Sequence, residues 1–410
     1  MTEMIDPLYA AFDPDAFDSQ SICTECAKHL SLKRYIEANG QEGPICGVCH
    51  YRQRRYVCCD LARKDQLINV LKALVRLNYD EFEYNPHWGA DHEPEQLLTV
   101  DNPILEHASA GDRVRDREKS SDFLRDLFGQ LPYPDPEKGI SLYAGHDSEA
   151  GRLLQLSLDG SKSATLTEFQ TRLERMNFYD VEPDVRHLIK NLAGRAVERV
   201  GKGTRLYRAR IGVEGRFQDT DATGFRRQVV RQPYSGRALG APPPPLASSG
   251  RLNRNGVAFL YLASDAATAA CEVRPHPGHY VSVGQFEAAK DLEVATFDLD
   301  IVPYAQSEDD LALFHFVLSS GKVFASPVTP EEVRRYSITQ LIADCLRQSG
   351  FDSVAFKSSV APGSNLCMFS PQTFSYVDGS AVVQNVASLA YDMQPTATIS
   401  APEARHFRLP

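Results

Sequence analysis

Two pairs of cysteines are spaced for metal chemistry. Cys23-Thr-Glu-Cys26 is followed, after nineteen intervening residues, by Cys46-Gly-Val-Cys49. Two residues between thiols let a tight turn aim both sulfurs at one ion, and the loop brings the second pair round to complete a tetrahedron. The pattern is that of a zinc-ribbon or treble-clef-like site. Four cysteine ligands leave no open position, so zinc held this way is structural. Gly47 suits the turn. Redox-active pairs are the competing reading, but a redox CxxC usually comes singly beside a βαβ pattern. His29 and His50 stand near as substitute ligands. Cys58 and Cys59, adjacent in sequence, are poor joint chelators and read as packing residues. Cys271, Cys345 and Cys367 lie among apolar neighbours and read as small buried hydrophobes.

A second set of groups lies in GRLNRNGVAFLYLASDAATAACEVRP, residues 250–275. Arg251, Tyr261 and Glu272 are spaced by ten and eleven residues. Gly250 and Arg251 end a proline-rich loop, and Asn253 and Gly256 mark a turn. VAFLYLA is a buried strand, and Ser264-Asp265 caps a short helix that carries Glu272 at its end. A turn, a strand and a helix can therefore bring a cation, an aromatic ring and a carboxylate to one cleft.

The elements that would position these groups follow from the texture of the chain. Residues 1–60 are Cys-rich and short on core pattern. Residues 61–200 read as helical: an apolar face runs through Leu67, Ile68, Leu71, Leu74 and Val75, and further helices are expected at 120–128, 166–176 and 183–200, the last opened by Pro183. Residues 201–385 alternate short β-type runs with helical candidates at 265–273, 309–318 and 330–348. That mixture lacks strict βαβ spacing and predicts an α+β domain with a mixed sheet. The segment LGAPPPPLASSG is an extended surface loop, and 386–410 is a loose tail.

Composition sets bounds on partners. The 410 residues carry a formal net charge of −10, with 42% apolar and 24% charged residues, as expected of a globular chain of two or three domains. Such an acidic chain is not built for general binding to nucleic acid. The basic, tyrosine-containing HYRQRRYVCCDLARK is the one local patch that would suit it, and such runs usually form solvated faces. No run approaches the apolar length of a membrane span. The first residues are acidic and lack the regions of a signal peptide, so a soluble cytoplasmic protein is expected.

The C-terminal half resembles the RES domain family, named for Arg, Glu and Ser. The resemblance runs from LYRAR (206–210), through GRLN, YLA and TAACEV, to FDSVAFKSSVAPGSNLCMF (351–369). In the last stretch the family pattern falls on Gly350, Asp352, Phe356, Ser358, Gly363, Asn365 and Leu366, with Ser359 adjoining Ser358. The helical half resembles the HEPN-type extension of larger RES proteins. The resemblance implies an ADP-ribosyltransferase-like fold and cleavage of the nicotinamide–ribose bond of NAD+, in some members with phosphate as acceptor. It also implies a toxin held by an antitoxin, or here by the helical module in cis. By the same resemblance Glu272 would stabilise the oxocarbenium-like ribose, Arg251 would clamp pyrophosphate or incoming phosphate, Tyr261 would stack on nicotinamide or fix the ribose, and Ser358 would hydrogen-bond substrate or acceptor. Arg208 and Asn365 are further substrate-binding candidates. Each residue alone has a plainer reading: core tyrosine, solvated glutamate, loop hydroxyl, surface arginine. ADP-ribosylation of a macromolecule and a non-catalytic, zinc-containing nucleotide binder are the alternatives.

Other motifs fail on spacing. Gly201-Lys202-Gly203-Thr204 lacks the GxxxxGK[ST] order and follows a helix rather than a strand. No Arg-x4–6-His pair of a HEPN ribonuclease occurs in the helical region, and no GxSxG elbow is present.

Overall fold

The computed structural model describes residues 21–42, 46–49, 57–60, 64–84, 96–99, 103–105, 123, 140–141, 145–146, 154–192, 194–219, 228–328, 336–390, 393 and 395–398. His50, most of the expected 120–128 helix, most of the basic patch, the N-terminal segment and the end of the tail lie outside the described residues.

In the N-terminal half, β1 (Ser21–Cys23), α1 (Leu30–Asn39), β2 (Gln41–Glu42) and β3 (Val57–Asp60) form a small antiparallel sheet of order β1-β3-β2 with its helix. Then come α2 (Lys64–Asn78), α3 (Glu81–Tyr84), a hairpin of β4 (Ile140–Ser141) and β5 (Gly145–His146), α4 (Ala164–Leu173) and α5 (Phe178–Leu192). Of the face expected from spacing, Leu67, Leu71, Leu74 and Val75 of α2 are fully buried and Ile68 partly so, and Val70 joins the buried set. Among the described residues no helix is long and apolar enough to cross a membrane.

The 183–200 stretch departs from expectation at both ends. The helix begins five residues earlier, so that Pro183 sits in its second turn. It stops at Leu192, where Gly194 takes φ +93° and the amides of Arg195 and Ala196 fold back onto the Leu192 carbonyl. A left-handed glycine ends a helix cheaply. Val200, which fits the apolar face of the expected helix, instead lies in strand β6 (Val197–Val200).

That strand is the edge of a nine-stranded sheet. The other strands are β7 (Arg205–Ile211), β10 (Leu260–Ala263), β11 (Tyr280–Ala288), β12 (Leu292–Thr296), β13 (Ser353–Lys357), β14 (Ser364–Met368), β15 (Phe374–Tyr376) and β16 (Val382–Asn385). The order is β15-β11-β7-β10-β14-β13-β12-β6, with β16 also on β11. Only β12–β13 is parallel. Strands β8 (Gly215–Gln218) and β9 (Val229–Gln232) form a separate pair.

Strand alternation divides the sheet into two faces. On one face Leu260, Leu262, Phe286 and Met368 pack with Leu239 of the short helix α6 (Gly236–Leu239). The other face carries Tyr207, Ala209, Tyr261, Ala263, Phe356, Asn365 and Cys367, as the registers Ala263↔Tyr207, Ala263↔Asn365 and Phe356↔Asn365 require. It is covered by α7 (Ala266–Glu272), α8 (Glu308–Ala325) and α9 (Tyr336–Gln348). Phe169 of α4 meets Phe316 of α8 edge-on, and one apolar cluster runs from Ile22 in the N-terminal half to Phe369 beyond β14. The two halves share a core.

Candidate functional site

Glu272, at the end of α7, is solvent-exposed. Its helix starts at Asp265, whose carboxylate accepts the Thr268 amide at 2.8 Å and the Thr268 hydroxyl at 2.7 Å. Across from α7, a Cβ on Gly363 would collide with Ser264, Asp265 and Thr268. Only glycine lets the β13–β14 loop approach this closely. The approach brings Ser358 and Asn365 onto the glutamate: the Ser358 hydroxyl and the Asn365 side-chain amide both donate to Oε1 at 2.6 Å. Ser358 Oγ in turn accepts the Val360 and Ala361 amides at 3.2 Å. Asn365 is buried. The carboxylate is thus held by one oxygen, and among the described residues no ion pair neutralises it.

Arg251 reaches the neighbouring serine. Its guanidinium donates to the Phe324 carbonyl and to Ser359 Oγ at 3.4 Å, and lies 5.8 Å from the Phe356 ring centroid. The dipeptide Ser358-Ser359 therefore links carboxylate to guanidinium, one hydroxyl each. Tyr261 supports the loop that carries Arg251: its hydroxyl donates to Asn253 Oδ1 at 2.8 Å and accepts the Leu252 amide at 3.1 Å. Burial pushes the Tyr261 hydroxyl well above the usual tyrosine range, which keeps it protonated and donating. Arg251, Tyr261, Glu272, Ser358 and Asn365 thus share one side of the sheet, joined by direct contacts through the 250–253 turn and the 358–361 loop.

Arg208 is not with them. It alternates onto the opposite face, where its guanidinium donates to the Leu239 carbonyl at 2.7 Å and the Tyr261 carbonyl at 2.8 Å. Burial lowers its pKa to about 10. Arg208→Leu is expected to lower the stability of the full chain by about 1–3 kcal/mol, because two carbonyls lose their donors. An unchanged urea midpoint would refute that tie.

Sequence reasoning missed the residues that hold the Arg251 loop. Asn253, 6% exposed, donates to the carbonyls of Ser248 and Val257 at 2.9 Å. From α9, Gln340 Nε2 reaches the Gly250 carbonyl at 2.8 Å and the Asn253 carbonyl at 3.1 Å, and Thr339 Oγ1 donates to the Arg251 carbonyl at 2.5 Å. Asn253 was legible only as a turn residue; nothing in the order of Thr339 and Gln340 pointed to a loop ninety residues upstream. A Tyr261→Phe change leaves Asn253 Oδ1 and the Leu252 amide without this partner. It should cost about 1–2 kcal/mol of stability, read by urea denaturation; a midpoint matching wild type would count against the hydroxyl's role.

The comparisons with known proteins bear on this half of the chain. The family model described as "RES domain" matches residues 222–389. This stretch is a RES domain. It contains Arg251, Tyr261, Glu272, Ser358 and Asn365, and it begins after β6 and β7, so the nine-stranded sheet is completed by two strands upstream of the matched residues. A search of curated proteins found no match. Among solved structures the chain is similar to one described as "Crystal structure of the M.tuberculosis MbcT-MbcA toxin-antitoxin complex", at 14% identity and a TM-score of 0.28, over 49% of this chain and 93% of that one.

The four cysteines form the second candidate site. Cys23, Cys26, Cys46 and Cys49 are buried, and their sulfurs lie within 4.8 Å of one another. Cys23–Cys49 and Cys26–Cys46 are each 3.9 Å apart. Zinc–sulfur bonds of about 2.3 Å at tetrahedral angles put sulfurs roughly 3.8 Å apart, so this cluster can hold zinc. The Cys23 amide donates to Cys46 Sγ at 3.3 Å, as thiolate ligands require. A Cβ on Gly47 would meet the Phe123 ring at 2.6 Å. His29 is engaged elsewhere: it caps α1, its Nδ1 accepting the Ser31 amide at 3.2 Å.

Proposed function

We propose that the RES domain degrades NAD+ by cleaving its nicotinamide–ribose bond, with phosphate or water as acceptor. The observation that carries this reading is the exposed Glu272 carboxylate, fixed through one oxygen by Ser358 and Asn365 and joined through Ser359 to Arg251. In the reaction the C1″–N bond breaks and its electron pair leaves with nicotinamide, which becomes neutral. The ribose gains positive character, and a phosphate oxygen or a water oxygen forms the new C1″–O bond. With water as acceptor the proton it loses passes to solvent and the product is ADP-ribose; with phosphate the product is ADP-ribose 1″-phosphate.

Each residue has a part that its surroundings support. Glu272 faces the developing charge at the ribose, and a carboxylate already held in place needs no reorganisation as that charge appears. Ser358 and Asn365 set its orientation. Arg251 supplies the cation for pyrophosphate or acceptor phosphate, and Tyr261 holds the turn that carries it. The NAD+ chemistry and the ADP-ribosyltransferase-like kinship come from the sequence resemblance; an antitoxin-like partner belongs to the same reading. Zinc at the four cysteines takes a structural role, since all four positions are filled by protein.

Purified full-length protein incubated with NAD+ should release nicotinamide. Phosphate-dependent release with ADP-ribose 1″-phosphate as product identifies a phosphorylase, and phosphate-independent release with ADP-ribose a glycohydrolase. No nicotinamide release under either condition removes the proposal.

A further inference from the structure

We propose that Phe178, in the helical half of the chain, is a positioning residue for the RES site, acting on the Arg251 loop through Arg254. This inference rests on the proposed NAD+ chemistry for its kinetic meaning and on geometry for its substance. The Arg254 guanidinium carbon lies 3.5 Å from the centroid of the Phe178 ring, well inside the range of a cation–π contact. The same guanidinium pairs with Asp344 of α9 at 3.4 Å, with the two side chains only 29% and 25% exposed. Arg254 is thereby gripped between α5 and α9.

Two residues, Leu252 and Asn253, separate Arg254 from Arg251, and the backbone between them is stiff. The Arg254 carbonyl accepts Asn253 Nδ2 at 3.3 Å and the Val257 amide at 3.1 Å. Asn253 in turn holds Tyr261. A shift of the Arg254 side chain is passed to Arg251 through this turn.

Helix α5 supports the same loop by a second route. Gln348 of α9 donates to Glu182 of α5 at 2.9 Å, and Val185 and Ile189 of α5 are buried in the core shared with α9. On α9 the adjacent Thr339 and Gln340, with Asp344 about one turn beyond Gln340, all engage the loop. Helix α5 therefore braces the Arg251 loop from the helical half. Phe178 is itself 38% exposed, so its ring contributes little to the core, and its contact with Arg254 can be altered without emptying that core.

The test uses the full chain. Phe178→Leu keeps the apolar bulk and removes the ring face; Phe178→Tyr keeps the ring. Phe178→Leu is expected to raise KM for NAD+ about fivefold to tenfold with kcat within about twofold, and Phe178→Tyr to restore wild-type values. Phe178→Leu combined with Arg254→Ala should be no worse than Arg254→Ala alone. An unchanged KM in Phe178→Leu, a fully additive double variant, or faster turnover in Phe178→Leu, as expected of a released inhibitor, would each overturn the proposal. A wild-type protein that releases no nicotinamide removes the NAD+ reading instead. The brace is then judged by amide hydrogen exchange: Leu252 and Val257 should exchange faster in Phe178→Leu than in wild type, and equal rates would overturn it.

Discussion

Glu272→Gln is expected to lower nicotinamide release from NAD+ by at least about a hundredfold in kcat while the protein melts as wild type does. The two halves of that expectation come from the same geometry. Ser358 and Asn365 both donate to one oxygen of the carboxylate, and a glutamine can present its carbonyl oxygen to both donors in the same place. Shape and hydrogen bonds are retained; the negative charge beside the ribose is lost. The residue lies at the solvent-exposed end of a seven-residue helix, so little packing is at risk. Glu272→Ala differs: it strips the buried Asn365 amide of its acceptor and should cost about 1 kcal/mol of stability in addition. Undiminished release by the glutamine variant would count against a role for this carboxylate in catalysis.

Loss of metal should produce the largest change in stability. Elemental analysis of the purified chain is expected to find one zinc per molecule, and Cys46→Ser or exhaustive chelation should lower the melting temperature by about 10 °C or more. Structural zinc contributes folding free energy outright, because the ligands are gathered only in the folded chain. Here the consequence extends beyond the first sheet. Cys23, Cys26, Cys46 and Cys49 belong to the same apolar cluster as α2, α5, α8 and α9, so loosening the cysteine knuckles exposes a surface on which the rest of the core packs. Burial pushes the Cys46 thiol well above its ordinary value, and a dication among the sulfurs would reverse that preference. A chelated, zinc-free wild type, or a Cys46→Ser variant, that melts with the zinc-loaded wild type would refute the structural role.

Much of this arrangement was legible because local pattern and tertiary demand agree. The β-type runs RLYRARIG, HYVSVGQFE, DSVAF and NLCMF correspond to β7, β11, β13 and β14. Strands β11, β13 and β14 are buried at most positions and read as largely apolar runs, while β7, more exposed, interleaves arginines with Leu206, Tyr207, Ala209 and Ile211. Asp265 announced α7 because a cap acts within one turn. Elements decided by distant partners were illegible. Val197–Val200 is too short to declare a period, and only pairing with β12 makes it a strand. Strand β16 has no strong apolar run and is defined by its ladder with β11. At the site, the spacing of Arg251, Tyr261 and Glu272 suggested convergence, but which face each occupies depends on register. One residue of alternation sends Arg208 to the far side of the sheet. Gln340, Thr339 and Phe178 carry no motif at all; their importance comes from what the fold sets beside them.

Strand β6 has a practical consequence for anyone trimming the chain. Its four residues satisfy one whole margin of β12, and they precede the stretch matched by the family model. A fragment starting at residue 201 would leave that margin bare, a row of unmet amides and carbonyls that invites edge-to-edge sticking between molecules. Such a fragment would come out of solution as precipitate, and its silence in an assay would say nothing about chemistry.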